Sequence, residues 1–197
     1  MILDLEKLIE KYNLKIKGVI HIGAYCGGEY SIYKKLGIKN MVFYEPIPEV
    51  FKKLKKRVGK AAVNLALGNF NGTAQMYLSS NRMSSSLLEP HLHKTQYPQI
   101  TFNEKIEVQV ARLDDVLNSR KYNMINIDVQ GYEKEVFLGA TETLNNIDYI
   151  MTEVNRGEMY KGCVLIYELD IFLAMLGFKR VELDWAGGTW GDAFYMK

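Results

Sequence analysis

The chain predicts an α/β fold built on a mostly parallel sheet, and three observations carry that prediction. Short apolar runs alternate with amphipathic helical segments along most of its length. A glycine-rich turn within HIGAYCGGE joins the first apolar run to a helix. The last segments, FKRVELDW and DAFYM on either side of AGGTWG, read instead as a hairpin that adds an antiparallel edge.

Each element follows from its pattern. Leu3, Leu5, Leu8, Ile9 and Tyr12 recur at helical spacing over 3–12, which makes 1–17 an N-terminal helical segment. VIHI (19–22) is a short buried strand, and 29–36 is a helix. MVFYE (41–45) is a strand again. In the helix that follows at 50–58, Val50, Phe51, Leu54 and Val58 form the apolar face, so the lysines of KKLKKR point to solvent. AAVNLAL (61–67) reads as a third strand, with a hairpin turn at Asn71-Gly72 continuing it outward. Residues 79–102 are polar and aperiodic, and a loop of that length inside a compact domain marks a lid or a binding loop. IEVQV (106–110) is a strand, LDDVL a helical turn, MINIDV (124–129) a strand and EKEVFLGATETL (133–144) one helix. IDYIMTEV is a buried strand, and YELDIFLAMLG an amphipathic helix stopped by Gly177.

At 197 residues the chain is expected to form a single domain, 1–197. A formal charge of +2 is too faint a basic lean for a nucleic-acid-binding face. Cys26 and Cys163 stand far apart without a CxxC pair, which suits free thiols in a reducing compartment and suggests no zinc site. No run of about 18 apolar residues is available to cross a bilayer. A cytoplasmic protein without membrane association is therefore expected.

In a doubly wound sheet, ligands sit beyond the carboxyl ends of the strands, where the winding reverses. That rule gathers the turn after VIHI, the end of FYE and the end of INID into one crevice. Gly23, Gly27 and Gly28 do not make G-x-G-x-x-G, because Tyr25 occupies the place of the second glycine, and no Gly-Lys-Ser/Thr follows. The turn therefore suits a ligand without phosphates. Glu45 lies about 20 positions beyond Gly23, where an acid accepts hydrogen bonds from a ribose diol. A ribose without phosphates points to S-adenosylmethionine.

Six stretches then carry a resemblance: HIGAYCGGE, FYEPIPEVFKKL, NLALGNFNG, RLDDVL, INIDVQGYEKEVFLGA and TEVNRGEMYKG. In this order they resemble the FkbM family of S-adenosylmethionine-dependent methyltransferases over nearly the whole chain, in the subgroup that reads H-I-G-A at the first turn. SSSL (84–87) is similar as well. The resemblance implies a Rossmann-like class I methyltransferase fold with a seven-stranded sheet, acting on a hydroxyl, commonly of a sugar. It assigns to the cofactor His21, Gly23, Ala24, Tyr25, Gly27, Glu29, Glu45, Pro46, Ala66, Leu67, Gly68, Ser86 and Asp128. Gly23, Ala24 and Gly27 would let backbone approach the methionine half, Ala66–Gly68 would meet the adenine edge, and Tyr25 would pack on the sulfonium or wall the pocket. Glu29 would bind the ammonium, or else simply favour a helix N-terminus.

Methyl transfer to a hydroxyl needs a collinear approach and a group that takes the proton. Asp128, at the end of INID, is the leading candidate for that base or for a substrate anchor; its alternative is a cap on the next helix through Gly131. Glu153 should lie beside it, where like charge raises one of the two pKa values. The pair equally suits Mg²⁺, although acid–base use is preferred. His91 and His93 form an H-x-H without further zinc ligands; His91 is a candidate base, and both are otherwise ordinary loop residues. Arg82, Ser85, His93, Tyr97, Asn155, Arg156 and Trp190 are expected around the acceptor, a small molecule or glycan. Two alternatives remain: an RNA or cap methyltransferase, and a binding module without turnover.

Overall fold

The computed structural model describes residues 2–117 and 120–197. The chain begins α1 (Leu5–Tyr12), β1 (Gly18–Ile22), α2 (Tyr30–Lys35), β2 (Asn40–Tyr44), α3 (Pro48–Val58), β3 (Ala62–Val63), β4 (Ala66–Leu67) and β5 (Gly72–Leu78). It continues with α4 (Leu92–Gln96), β6 (Glu104–Ala111), α5 (Leu113–Val116), β7 (Met124–Ile127), α6 (Glu133–Leu138) and α7 (Thr141–Leu144). The last elements are β8 (Tyr149–Asn155), α8 (Ile166–Met175), β9 (Lys179–Trp185) and β10 (Trp190–Met196).

The main sheet has seven strands in the order β3-β2-β1-β7-β8-β10-β9. Neighbours are parallel as far as β8, and β10 runs antiparallel to both β8 and β9. The closing hairpin therefore inserts its second strand, and β9 forms the edge. Winding reverses between β1 and β7, so the ligand crevice is expected beyond Ile22 and Ile127.

Strand alternation divides the core into two layers. Ile20, Ile22, Val42, Tyr44, Ile125 and Ile127 face one helical layer with Val136, Phe137, Leu169 and Leu173. Val19, Phe43, Met124, Met151 and Phe194 face the other, with Leu5, Leu8, Tyr33 and Leu54. The ends of α1 follow local chemistry. Asp4 accepts from the amides of Glu6 and Lys7, and Asn13 closes the helix in the left-handed conformation.

Three expectations need correction. AAVNLAL is not one strand: β3 pairs with β2 in the main sheet, and β4 pairs in parallel with β6 in a separate sheet ordered β4-β6-β5. The turn at Asn71-Gly72 consequently feeds β5, which pairs antiparallel to β6 and not to the preceding strand. The 133–144 helix breaks at Gly139. A Cβ there would lie 1.9 Å from the Gly68 carbonyl oxygen, and Asp114 caps the new helix by accepting from the amides of Glu142 and Thr143 (3.1 and 2.8 Å). Finally, α8 is apolar nearly all round: Leu169 and Leu173 are buried, while Tyr167, Ile171 and Met175 face solvent.

Residues 79–102 fold against the rest of the chain. Tyr77 and Ser86 form a β-bridge, α4 lies within the segment, and Pro90 bridges to Tyr160. Leu88, Leu92, Tyr97 and Phe102 pack on Met159, Tyr160 and Cys163.

Candidate active site

The turn after β1 is strapped to both neighbouring strands. The amides of Gly23 and Ala24 donate to the Tyr44 carbonyl (3.0 Å each), and the Asp128 amide donates to the Ile22 carbonyl (3.0 Å). Gly23 has φ +74°, and a Cβ on it would stand 1.9 Å from the Asp128 backbone oxygen. Only glycine permits that approach.

Two cavities open on the crevice. The first is a narrow slot of about 50 Å³. Its walls include Gly23, Tyr25, Pro46, Leu65, Ala66 and Leu67, with Met76 and Leu87 from the small-sheet side. Glu45 is buried in its wall. One oxygen of Glu45 accepts from the Tyr25 amide (2.9 Å) and the other from the Ile47 amide (2.8 Å). Burial pushes this carboxyl up to about 7 against the pull of those two amides. Among the described residues the one cation in the slot's wall, Arg82, is engaged by Glu49 (2.5 Å) and Glu104 (3.2 Å).

The second cavity is wider, about 240 Å³, and is walled largely by His93, Tyr97, Ile100, Met159, Tyr160 and Trp190. Trp190 Nε1 donates to the Tyr97 hydroxyl (2.7 Å), which fixes both rings. The two cavities share Met83, Asp128 and Gln130. At this junction Gln130 Nε2 donates to Asp128 Oδ1 and to Glu153 Oε2, at 2.8 Å each. Its Oε1 and the Ser84 carbonyl each lie 2.8 Å from the Tyr160 hydroxyl and share that hydroxyl's single proton.

Both carboxyls are pushed above their ordinary range. The surrounding protein is the main cause for Asp128, and the bond from Gln130 opposes it. Glu153 is driven further up, first by burial and then by the charges of Asp128, Glu133 and Asp192. Asp192 faces Glu153 across β8 and β10 and accepts from the amides of Ile2 and Leu3.

Glu133 shapes the junction from beneath. It is fully buried, and one of its oxygens accepts from the amides of Val129 and Gly131 (3.1 Å each) while the other has no partner among the described residues. Burial pushes it up to about 7 from an ordinary 4.5. Between those pH values the folded chain keeps a proton that the unfolded chain has released, so stability falls as pH rises through the window. The loss is roughly 3 kcal/mol for this one group. Glu133→Gln should keep both amide bonds and remove this share of the slope. The fall in melting temperature from pH 5 to pH 8 is therefore expected to be smaller in the variant, as thermal unfolding at both pH values would reveal.

The structure brings together Gly23, Tyr25, Glu45, Pro46, Ala66, Leu67 and Asp128 in the slot, and Asp128, Glu153, His93, Tyr97 and Trp190 around the second cavity. Other expected site residues lie elsewhere. His21 faces the core, against Tyr33 and Phe43, because strand alternation puts it on the side of Val19; burial pushes it down to about 4. Ala24 is buried in that same layer. Glu29 borders a separate cavity beside α1, with Asp4, Glu6 and Tyr33. Gly27 packs on Leu54, and its carbonyl accepts from Arg57. Gly68 gives its amide to the Ala111 carbonyl (3.0 Å), so it offers none to an adenine.

Ser86, expected at the cofactor, is a clasp, donating to the Gln130 carbonyl (2.8 Å) and accepting from the Leu88 amide. Arg82 and Ser85 line the first cavity rather than the second. His91 is an exposed partner of Glu158 (3.1 Å) and lines neither cavity. Arg156 donates to the carbonyls of Gly187 and Gly188 and lies over the Trp185 ring. Asn155 is buried at the end of β8, outside both cavities. Sequence reasoning passed over Gln130, Tyr160 and Met83. Among the described residues no cluster of three or more His, Cys, Asp or Glu could hold a metal ion, and no helix is long and apolar enough to cross a membrane.

Comparison with known proteins bears on the family and the fold. The 2-O-methyltransferase NoeI of Sinorhizobium fredii is 27% identical over 159 residues, covering 73% of this chain and 65% of NoeI. The chain thus spans less than two thirds of that curated relative. The magnesium protoporphyrin IX methyltransferase ChlM of Synechocystis PCC 6803, solved with bound SAM, superposes with a TM-score of 0.55 at 9% identity, over 98% of this chain and 75% of ChlM. Sp1610 of Streptococcus pneumoniae, in complex with S-adenosyl-L-methionine, gives 0.54 at 15% identity, over 100% of this chain and 73% of its own. At such identities the likeness is one of fold, and the fold is the Rossmann-like one of SAM-dependent methyltransferases. A family model described as the methyltransferase FkbM domain matches residues 21–180, most of the sequence, and the chain belongs to that family.

Proposed function

We propose that the protein is an S-adenosylmethionine-dependent O-methyltransferase acting on a hydroxyl of a small carbohydrate, glycan or related metabolite. One observation carries this reading: an apolar slot holding a buried acid and a wider aromatic cavity meet at Asp128 and Gln130. The relative NoeI, a 2-O-methyltransferase, supports the choice of an oxygen acceptor.

The residues of the slot fit the cofactor. Each oxygen of Glu45 keeps a second lone pair for a ribose diol. Leu65, Leu67, Met76 and Leu87 offer apolar surface to a flat purine. With Arg82 committed to two carboxylates, no free cation among the described residues of this wall invites a phosphate. Met83, unbranched and 62% exposed, is a movable wall of the slot. When bound, S-adenosylmethionine supplies a methyl group on a sulfonium. Asp128 stands where an acceptor hydroxyl in the second cavity would meet that methyl, and it takes the hydroxyl proton. Glu153 beside it is pushed up more strongly, by burial and by the charges of Asp128, Glu133 and Asp192, so of the two carboxyls Asp128 is the one that gives up its proton more readily. Tyr97 and Trp190 hold the ring of the acceptor. Most of the rate enhancement then comes from orientation, for which effective molarities of the order of 10⁵ M are attainable.

A methyl-transfer assay over neutral sugars, glycans and RNAs tests the reading. Sugar-stimulated formation of S-adenosylhomocysteine is expected; stimulation by RNA alone, or no binding of S-adenosylhomocysteine, overturns it. The cofactor half has its own signature. With Glu45 ionising at about 7, affinity for S-adenosylhomocysteine should weaken by about tenfold per unit as pH falls below 7. Glu45→Gln should bind more weakly and flatten this dependence in calorimetric titrations.

A further inference from the structure

We propose that the second cavity selects acceptors bearing a protonated amine and rejects anionic ones. The inference rests on the acceptor site proposed above and adds a charge class to it. Asp128 and Glu153 both line this cavity, and Gln130 holds them together with one bond of 2.8 Å to each. Among the described residues, neither Lys nor Arg contributes to its wall. Nearby cations are committed elsewhere. Arg82 lines the other cavity and pairs with Glu49 and Glu104, while Arg156 gives its guanidinium to two carbonyls and to the Trp185 face.

A carboxylate or phosphate entering here would face two acids with no compensating charge, and burying an unpaired charge is strongly unfavourable. An ammonium would instead meet carboxylate oxygens on one side and the rings of Tyr97, Tyr160 and Trp190 on the other, whose faces attract cations. The substrate class is thus a hydroxylated ring carrying an amine, such as an amino sugar, with neutral sugars second and acidic sugars or sugar phosphates last.

Calorimetric titration of the full chain with three matched probes tests this: methyl α-D-glucosaminide, methyl α-D-glucoside and methyl α-D-glucuronide, each with and without S-adenosylhomocysteine. The glucosaminide should bind most tightly, by about tenfold or more over the glucuronide. Its advantage over the neutral glucoside should shrink several-fold in Glu153→Gln and in Asp128→Asn. Glucuronide binding as well as the amine, an amine preference unchanged in both variants, or no binding of the glucosaminide would each overturn the inference. The runs without S-adenosylhomocysteine separate the two claims. If that compound does not bind, the proposed function falls while the ranking of probes still decides the charge class. If it binds and a sugar is methylated but the acid ranks first, only the charge class falls.

Discussion

Asp128→Asn is expected to leave affinity for S-adenosylhomocysteine within a few-fold of the parent and to lower kcat by roughly 10²–10⁴-fold, the usual contribution of a positioned base. The side chain fits the position: asparagine keeps an oxygen to accept from Gln130 Nε2, so the bridge to Glu153 survives. What it lacks is a basic oxygen at the point shared by the two cavities. Single-turnover methyl transfer measured beside calorimetric cofactor binding separates these effects. Turnover that survives the substitution would remove Asp128 from proton transfer and pass the task to Glu153.

Gly23→Ala should be the most damaging single-methyl change in the crevice, destabilising the fold by about 3 kcal/mol or more. Two costs add. The backbone φ of +74° disfavours any side chain, and the new Cβ would lie 1.9 Å from the Asp128 carbonyl oxygen. Relief requires the β1 turn and the end of β7 to separate, which strains the Asp128 amide bond to Ile22 and moves the proposed base. For a chain of this size the melting temperature should fall by roughly 6–12 °C. Gly37→Ala is the control, because φ is +73° there with nothing within 4 Å of the new methyl. It should lose only the conformational part, about 1 kcal/mol. Equal losses at the two positions would show that the close approach to Asp128 carries no energy of its own.

Much of this site was legible in the sequence because strand ends are positions that topology controls. Glu45 and Asp128 each follow a strongly apolar strand and Glu153 lies near the end of another, and a parallel sheet brings such ends to one side whatever the loops do. Position along a strand does not give direction, and His21 shows the cost. It belongs to the right motif, yet it sits one residue out of phase with the side chains of Ile20 and Ile22 and so enters the core. Loop residues were legible as a group and not singly. Residues 79–102 do wall both cavities, but which cavity receives Arg82, Ser85 or His93 depends on the bridges of Ser86 and Pro90, which no periodicity announces. Gln130 escaped notice because its importance comes from a left-handed backbone (φ 56°) that turns its amide back between two acids. Gly131 beside it was the available signal, since glycine in such a turn marks unusual backbone geometry. The split of AAVNLAL was hidden for a related reason: two residues in each sheet are too few to leave a pattern.

One thioether stands in the partition between the two compartments, since Met83 belongs to both walls. An occupant of one side that selects a Met83 rotamer changes the wall met on the other, and to that extent the two affinities are coupled. Thermodynamic reciprocity then requires that whatever factor the nucleoside applies to the affinity for the acceptor, the acceptor applies to the nucleoside.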